Sequence, residues 1–136
     1  MDFKRGLAAA LAEAISKNTD TSVEIDEIVS SIEIPPDSTL GDFAFPCFKL
    51  AKAMRKAPPA IAAQISESIV LPSFIDKVEV AGAYLNFMLN RQEFSRDVLV
   101  QFQEQGADYG RSNIGEGRNV VIDYSSPNIA KNFHVG

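Results

Sequence analysis

The sequence predicts an α+β fold: a small antiparallel sheet of about four strands, packed on one face by helices. Two patterns support this class. Apolar side chains recur every four positions in residues 2–17, which is typical of an amphipathic helix. Lys77–Ala81 and Ala83–Leu89 show the alternation of strands, and Gly82 separates them, so they are predicted to form two strands joined by a turn. A chain with both periods is interpreted as an α+β domain.

The first half of the chain contains the remaining candidate strands. Residues 23–31 are compatible with a short helix or with a loop. Residues 32–35 alternate and are predicted to form a strand that a pair of prolines ends. Phe43–Phe45 is predicted to be a short strand that leads directly into a helix, with Pro46 in the first helical turn.

Two more helices are predicted further along. Isoleucines recur every four residues in a helix over roughly 59–69. Arg91–Gln105 has the same spacing, and Gly106 after it suits a helix C-terminus. Phe43, Phe45 and Phe48 are interpreted as core residues, not as stacking platforms for bases.

The composition is that of an ordinary globular domain and excludes several classes. Of 136 residues, 46% are hydrophobic and 23% are charged, unlike a disordered tail. The single cysteine, Cys47, cannot form an internal disulfide, which fits a reducing cytoplasm, and it is interpreted as a buried apolar side chain. No run of 18 apolar residues and no signal-peptide pattern occurs, so a cytoplasmic protein without a membrane partner is expected.

The charge distribution is more informative than its total. The net charge of −5 argues weakly against a nucleic-acid binder. Within residues 41–60, however, Lys49, Lys52, Arg55 and Lys56 stand against one acidic residue. Such a stretch can contact phosphates, and a solvated helix face is the alternative.

The C-terminal part differs from what precedes it. Residues 106–117 contain four glycines and are predicted to be a linker. Residues 119–124 form a nearly continuous apolar run, typical of a strand buried on both faces of a parallel sheet. One such strand is not stable without its sheet, so the chain is expected to be truncated.

The most specific motif is the last fourteen residues, from Asp123 to Gly136. They are Asp-Tyr-Ser-Ser-Pro-Asn-Ile-Ala-Lys-Asn-Phe-His-Val-Gly. A strand, a polar turn and this ending suggest a nucleotide-binding crossover. The string resembles the start of the catalytic domain in the arginyl-tRNA synthetase family, whose pattern is Glu/Asp-x-Ser-x-Pro-Asn-x-x-Lys-x-x-His-x-Gly-His. The last four positions of that pattern are the class I synthetase signature.

Upstream motifs resemble the N-terminal additional domain of the same family. They are Gly41-Asp42-Phe43-Ala44, Leu50-Ala51-Lys52, Pro59-x-Ile61-Ala62 and Ala81-Gly-Ala-Tyr-Leu-Asn-Phe87, with Gly106-Ala-Asp-Tyr-Gly110 resembling the connector. The resemblance implies three parts. Residues 1–108 would be the additional domain that binds the tRNA D-loop or elbow, 109–118 a connector, and 119–136 the truncated start of a Rossmann-like class I catalytic domain.

The resemblance also implies the chemistry of the whole enzyme. It would be an aminoacyl-tRNA ligase that attaches arginine to tRNA(Arg) through arginyl-adenylate, with ATP as cofactor and Mg²⁺ accompanying the ATP. No protein metal site is expected, because the chain has one His and one Cys. The fragment itself would contribute D-loop recognition and would be inert alone.

Site residues follow from positions that match the family motif. His134 and Lys131 would be catalytic, and His134 would stabilise charge on the α-phosphate. The ATP-binding residues would be Lys131, His134 and Gly136, and the arginine-binding residues would be Asp123, Ser125 and Asn128. A carboxylate such as that of Asp123 is a natural bidentate partner for a guanidinium group.

The candidate RNA-reading residues are Tyr84 and Asn86. If Leu85 and Phe87 face the helices, then Tyr84 and Asn86 lie on the open face of the sheet. A tyrosine can stack on an unpaired base and an asparagine can hydrogen-bond its edge. Both match family positions that contact a D-loop nucleotide, and Lys49, Lys52, Arg55 and Lys56 are further candidates for tRNA contact.

Two alternative functions are compatible with the residues. One is another enzyme with the same signature, either a different class I synthetase or a nucleotidylyltransferase. The Asn-x-x-Lys string from Asn128 to Lys131 favours arginine over these. The other alternative is a free-standing RNA-binding module without catalytic activity.

Overall fold

The computed structural model describes residues 2–19 and 23–122. The described helices are α1 (Phe3–Asn18), α2 (Ile25–Ser31), α3 (Ala51–Met54), α4 (Pro58–Ser68) and α5 (Arg91–Gln105). The described strands are β1 (Phe43–Pro46), β2 (Ile75–Ala81) and β3 (Tyr84–Leu89). The chain divides into two compact units, Met1–Glu104 and Gln105–Gly136. The helices and strands of the first unit confirm the α+β class.

The sheet has the strand order β1-β3-β2, and β3 pairs antiparallel with both neighbours. The prediction of about four strands was too high for the described residues. The segment 32–35 contributes only an isolated bridge between Glu33 and Ala44. Pro35 and Pro36 have no N–H to donate, so the pairing cannot continue beyond the bridge.

The helix after β1 begins later than predicted. Pro46 is the last residue of β1, where it pairs with Tyr84, and does not lie in a helical turn. The Cys47 N–H extends this pairing by donating to the Ala83 carbonyl at 2.9 Å. A 3₁₀ turn over Cys47–Leu50 then leads into α3.

The core lies between one face of the sheet and the helices that cover it. α4 packs against β2 and β3, and α1 packs against α4 and α2. The fully buried large side chains are Leu7, Leu11, Ile15, Ile28, Cys47, Ile61, Ile65, Leu85 and Phe87. Cys47 is 0% exposed, which confirms its interpretation as a buried apolar side chain, and this burial raises the pKa of its thiol to about 12.

The predicted helices were close to those observed. α1 and α5 have the expected extents, and the ambiguous segment 23–31 contains α2. Asn90 caps α5, because its Oδ1 accepts from the Gln92 and Glu93 N–H groups at 3.0 and 3.2 Å. Gly106 follows α5 with φ of +53°, as expected of a residue that ends a helix.

The strand predicted at 119–124 is not observed in the residues that are described. Residues 119–122 have no regular secondary structure, and Val121 is 95% exposed. A strand requires a hydrogen-bonded neighbour, and no described residue pairs with this segment. The remaining two residues of the predicted strand lie outside the described part.

Candidate nucleic-acid interface

Tyr84 and Asn86 lie on the face of the sheet opposite the core. Leu85 and Phe87 are fully buried in the core, and side chains alternate along β3, so the residues between them point the other way. In the two ladders Asn86 stands opposite Ala44 of β1 and Glu79 of β2. The predicted orientation of both residues is therefore confirmed.

This outer face is less open than the sequence suggested. Asn86 is only 6% exposed. Together with Tyr84 it lines a pocket of about 220 Å³, whose other side is the segment 33–36 with Leu40. A pocket with walls, and not a flat sheet surface, is therefore the candidate binding site.

The wall of the pocket is held in place by backbone hydrogen bonds. The N–H groups of Glu33 and Ala44 each donate to the other residue's carbonyl at 2.9 Å. Further along, Asp37 accepts from the N–H and the hydroxyl of Thr39, both at 2.8 Å. These hydrogen bonds lower the pKa of the Asp37 carboxyl group. Asp37 thereby caps the 3₁₀ turn over Ser38–Leu40, which carries Leu40.

The Asn86 side chain has no partner within the described part of the protein. It forms no hydrogen bond there, although it is nearly buried. No fully buried side-chain polar atom among the described residues lacks a partner, so the Asn86 amide must retain access to solvent through the pocket. An amide can donate two hydrogen bonds and accept two, and no described residue uses this capacity.

Gly41 and Asp42, the start of one family-like motif, have a structural role. Gly41 has φ of +119°, and a Cβ at this position would lie 2.8 Å from the Phe87 carbonyl oxygen. Asp42 accepts from the Leu89 N–H at 2.8 Å and pairs with Arg91 at 2.9 Å. The motif therefore fixes the start of β1 against the end of β3, beside the pocket.

Phe48 is a residue whose role the sequence did not predict. Phe43 and Phe45 contribute to the core as expected, but Phe48 is 53% exposed. Its ring and that of Tyr84 form an edge-to-face pair, with centroids 5.6 Å apart and planes at 80°. The 3₁₀ turn could have indicated this, because Cys47 and Leu50 are three residues apart and face the core together.

The four basic residues differ in their surroundings. The Lys49 ammonium donates to Ser31 Oγ at 3.0 Å, and Lys56 donates to Gln64 Oε1. Lys52 and Arg55 form no hydrogen bond or ion pair with any described residue and are exposed. Of these four residues, Lys52 and Arg55 are therefore the most available to an external phosphate.

The predicted catalytic and substrate residues lie outside the described part of the chain. They are Asp123, Ser125, Asn128, Lys131, His134 and Gly136. Among residues 2–19 and 23–122, no group of three or more His, Cys, Asp or Glu side chains could hold a metal ion. No helix in the same ranges is long and apolar enough to cross a membrane.

Comparison with known proteins gives matches along the whole chain. A family model described as the arginyl tRNA synthetase N terminal domain matches residues 3–89. A second, described as the class I (R) tRNA synthetase catalytic domain, matches residues 98–136. These matches do not favour the alternatives of a different signature-bearing enzyme or a free-standing RNA-binding module.

Individual relatives agree with the family models. The arginine–tRNA ligase of Clostridium perfringens is 51% identical over 136 residues, and that of Alkaliphilus metalliredigens is 44% identical over 135. The chain spans 23% of the length of each relative. A solved arginyl-tRNA synthetase structure from Thermus thermophilus superposes with a TM-score of 0.60 and 31% identity, covering 71% of this chain and 16% of that one.

Proposed function

Because the chain belongs to the arginyl-tRNA synthetase family, we propose that it is the N-terminal part of an arginine–tRNA ligase. The whole enzyme would attach arginine to tRNA(Arg) through arginyl-adenylate, using ATP with Mg²⁺ bound to it, in the cytoplasm. Residues 1–108 would form a domain that contacts the tRNA D-loop. Residues 109–118 would connect this domain to the catalytic domain, which would begin with residues 119–136. The observation that carries the tRNA-binding role is the nearly buried, unpartnered Asn86 amide in the pocket beside Tyr84.

The lining of the pocket favours a base over a phosphate. Its charged residue is Glu33, and its other lining residues include Pro35, Leu40 and Tyr84. A phosphate would be repelled by a carboxylate and would find no cation in this lining. An unpaired base can stack on an aromatic ring and hydrogen-bond an amide through its edge, as single-stranded RNA loops commonly do.

Basic residues in the segment that follows β1 support contact with the RNA backbone. The residue before the 49–56 segment, Phe48, packs against Tyr84, which lines the pocket. Lys52 and Arg55 are exposed and have no partner among the described residues, so they are free to approach phosphates. We assign them, with Lys49 and Lys56, a positioning contribution that does not depend on tRNA sequence.

The C-terminal motif supports the assignment of the ATP and arginine sites. In this proposal Lys131, His134 and Gly136 bind ATP, and Asp123, Ser125 and Asn128 bind arginine. His134 would donate a hydrogen bond to the reacting phosphate, and removing one such preorganised donor typically costs a factor of about 100–1,000 in rate. His134→Ala in the full-length synthetase is therefore expected to lower the adenylation rate by about that factor. A near-normal rate would remove His134 from the site.

A photo-crosslinking experiment tests the tRNA contact. p-Benzoylphenylalanine would replace Tyr84 in the full-length synthetase, which would be irradiated with tRNA(Arg), and the crosslinked nucleotide would be mapped. The proposal predicts a crosslink in the D-loop. The matched control places the same probe at Val70, which is 68% exposed in the loop before β2 and does not line the pocket. A crosslink confined to the acceptor stem or anticodon would contradict the assignment.

A further inference from the structure

Phe48 is an aromatic side chain that the core does not use. It lies in the 3₁₀ turn between β1 and α3, where Cys47 and Leu50 are buried and Phe48 is 53% exposed. Its ring contacts that of Tyr84, at 5.6 Å between centroids and 80° between planes. This edge-to-face geometry is the preferred arrangement of a stabilising aromatic pair.

Tyr84 has few other constraints on its ring. Its cross-strand neighbours are Pro46 and Ala81, both small, and its hydroxyl forms no hydrogen bond with a described residue. It is also partly exposed, so its side chain could rotate between staggered rotamers if nothing packed against it. The Phe48 ring is therefore an aromatic contact that restricts the orientation of Tyr84.

Only one of the two rings, that of Tyr84, lines the pocket. Tyr84 lines the pocket, whereas Phe48 is not among the lining residues. Phe48 thus contacts Tyr84 from outside the space where a base would sit. The turn that carries Phe48 is itself fixed by the Cys47 N–H, which donates to the Ala83 carbonyl next to Tyr84.

We propose that Phe48 is a positioning residue for RNA binding: it holds the Tyr84 ring in the orientation that stacks on the bound base. This rests on the proposed function, in which Tyr84 contacts an unpaired tRNA base. Phe48 contributes by reducing the conformational freedom that Tyr84 would lose on binding, since a preorganised side chain costs less to order. Phe48 makes no contact with the base in this account.

A double-mutant cycle in the full-length synthetase tests this role. The KM for tRNA, the KM for arginine and kcat would be measured for Phe48→Ala, Tyr84→Ala and the double variant. Ordering one free side chain on binding corresponds to about a 2- to 10-fold change in affinity, so Phe48→Ala should raise the KM for tRNA by that factor and leave the other constants unchanged. In the Tyr84→Ala background, Phe48→Ala should have almost no further effect.

Two further variants separate positioning from a general loss of apolar surface. Phe48→Tyr retains the ring and should restore the normal KM, whereas Phe48→Leu retains apolar bulk without the ring and should not. Val70→Ala removes a comparably exposed apolar side chain elsewhere, at 68% exposure, and should change nothing. Because Phe48 is half-exposed, all its variants are expected to fold, which thermal melting would check.

The outcomes distinguish failure of this inference from failure of the proposed function. If Tyr84→Ala raises the KM for tRNA and Phe48→Ala does not, the positioning role is wrong and the binding site stands. If Phe48→Ala has the same effect with and without Tyr84, Phe48 acts independently and the positioning role is again wrong. If Tyr84→Ala leaves the KM unchanged, the proposed base contact fails, and the inference fails with it.

Discussion

The two faces of β3 contain neighbouring residues that are almost equally hidden from solvent but differ in their partners. Phe87 is 0% exposed and packs within the core, while Asn86 next to it is 6% exposed and has no hydrogen-bond partner among the described residues. Exposure alone would place both residues in the interior. The difference in partners separates them: one face of the strand stabilises the domain, and the other retains unused hydrogen-bonding capacity in a pocket.

The largest effect on stability is expected from a substitution on the core face of β3. Phe87→Ala would leave a cavity between the sheet and its helices and should cost about 3–5 kcal/mol of unfolding free energy. Urea denaturation of the 136-residue chain would measure it. Asn86→Ala is the matched variant on the other face, and it should change the same free energy by less than about 1 kcal/mol, because no internal hydrogen bond is lost. Similar losses for both variants would mean that Asn86 has a structural partner after all.

The sequence predicted the two faces of β3 correctly because alternation is a local property. Leu85 and Phe87 were placed toward the helices, and Tyr84 and Asn86 on the other side, from periodicity alone. The cover over Asn86 could not be predicted in the same way. It comes from the segment 33–36, about fifty positions away in sequence, and depends on the bridge between Glu33 and Ala44.

Errors in the predicted elements also arise from contacts or turn geometries that local sequence patterns do not specify. Residues 32–35 alternate like a strand, but two prolines limit them to a single bridge. Phe48 was predicted to lie in the core with Phe43 and Phe45, but the 3₁₀ turn directs Cys47 and Leu50 inward instead. In each case the missing information was a contact distant in sequence, or a turn geometry that composition does not specify.

The measurement that tests the central claim most directly is the KM for tRNA of Asn86→Ala in the full-length synthetase. One neutral hydrogen bond is worth about 1 kcal/mol, so this KM should rise about fivefold while the KM for arginine and the melting temperature stay the same. Asn113→Ala, the same change at an exposed residue outside the sheet, is the control and should leave all three unchanged. An unchanged KM for tRNA in Asn86→Ala would contradict the account, because the pocket amide would then not contact the RNA.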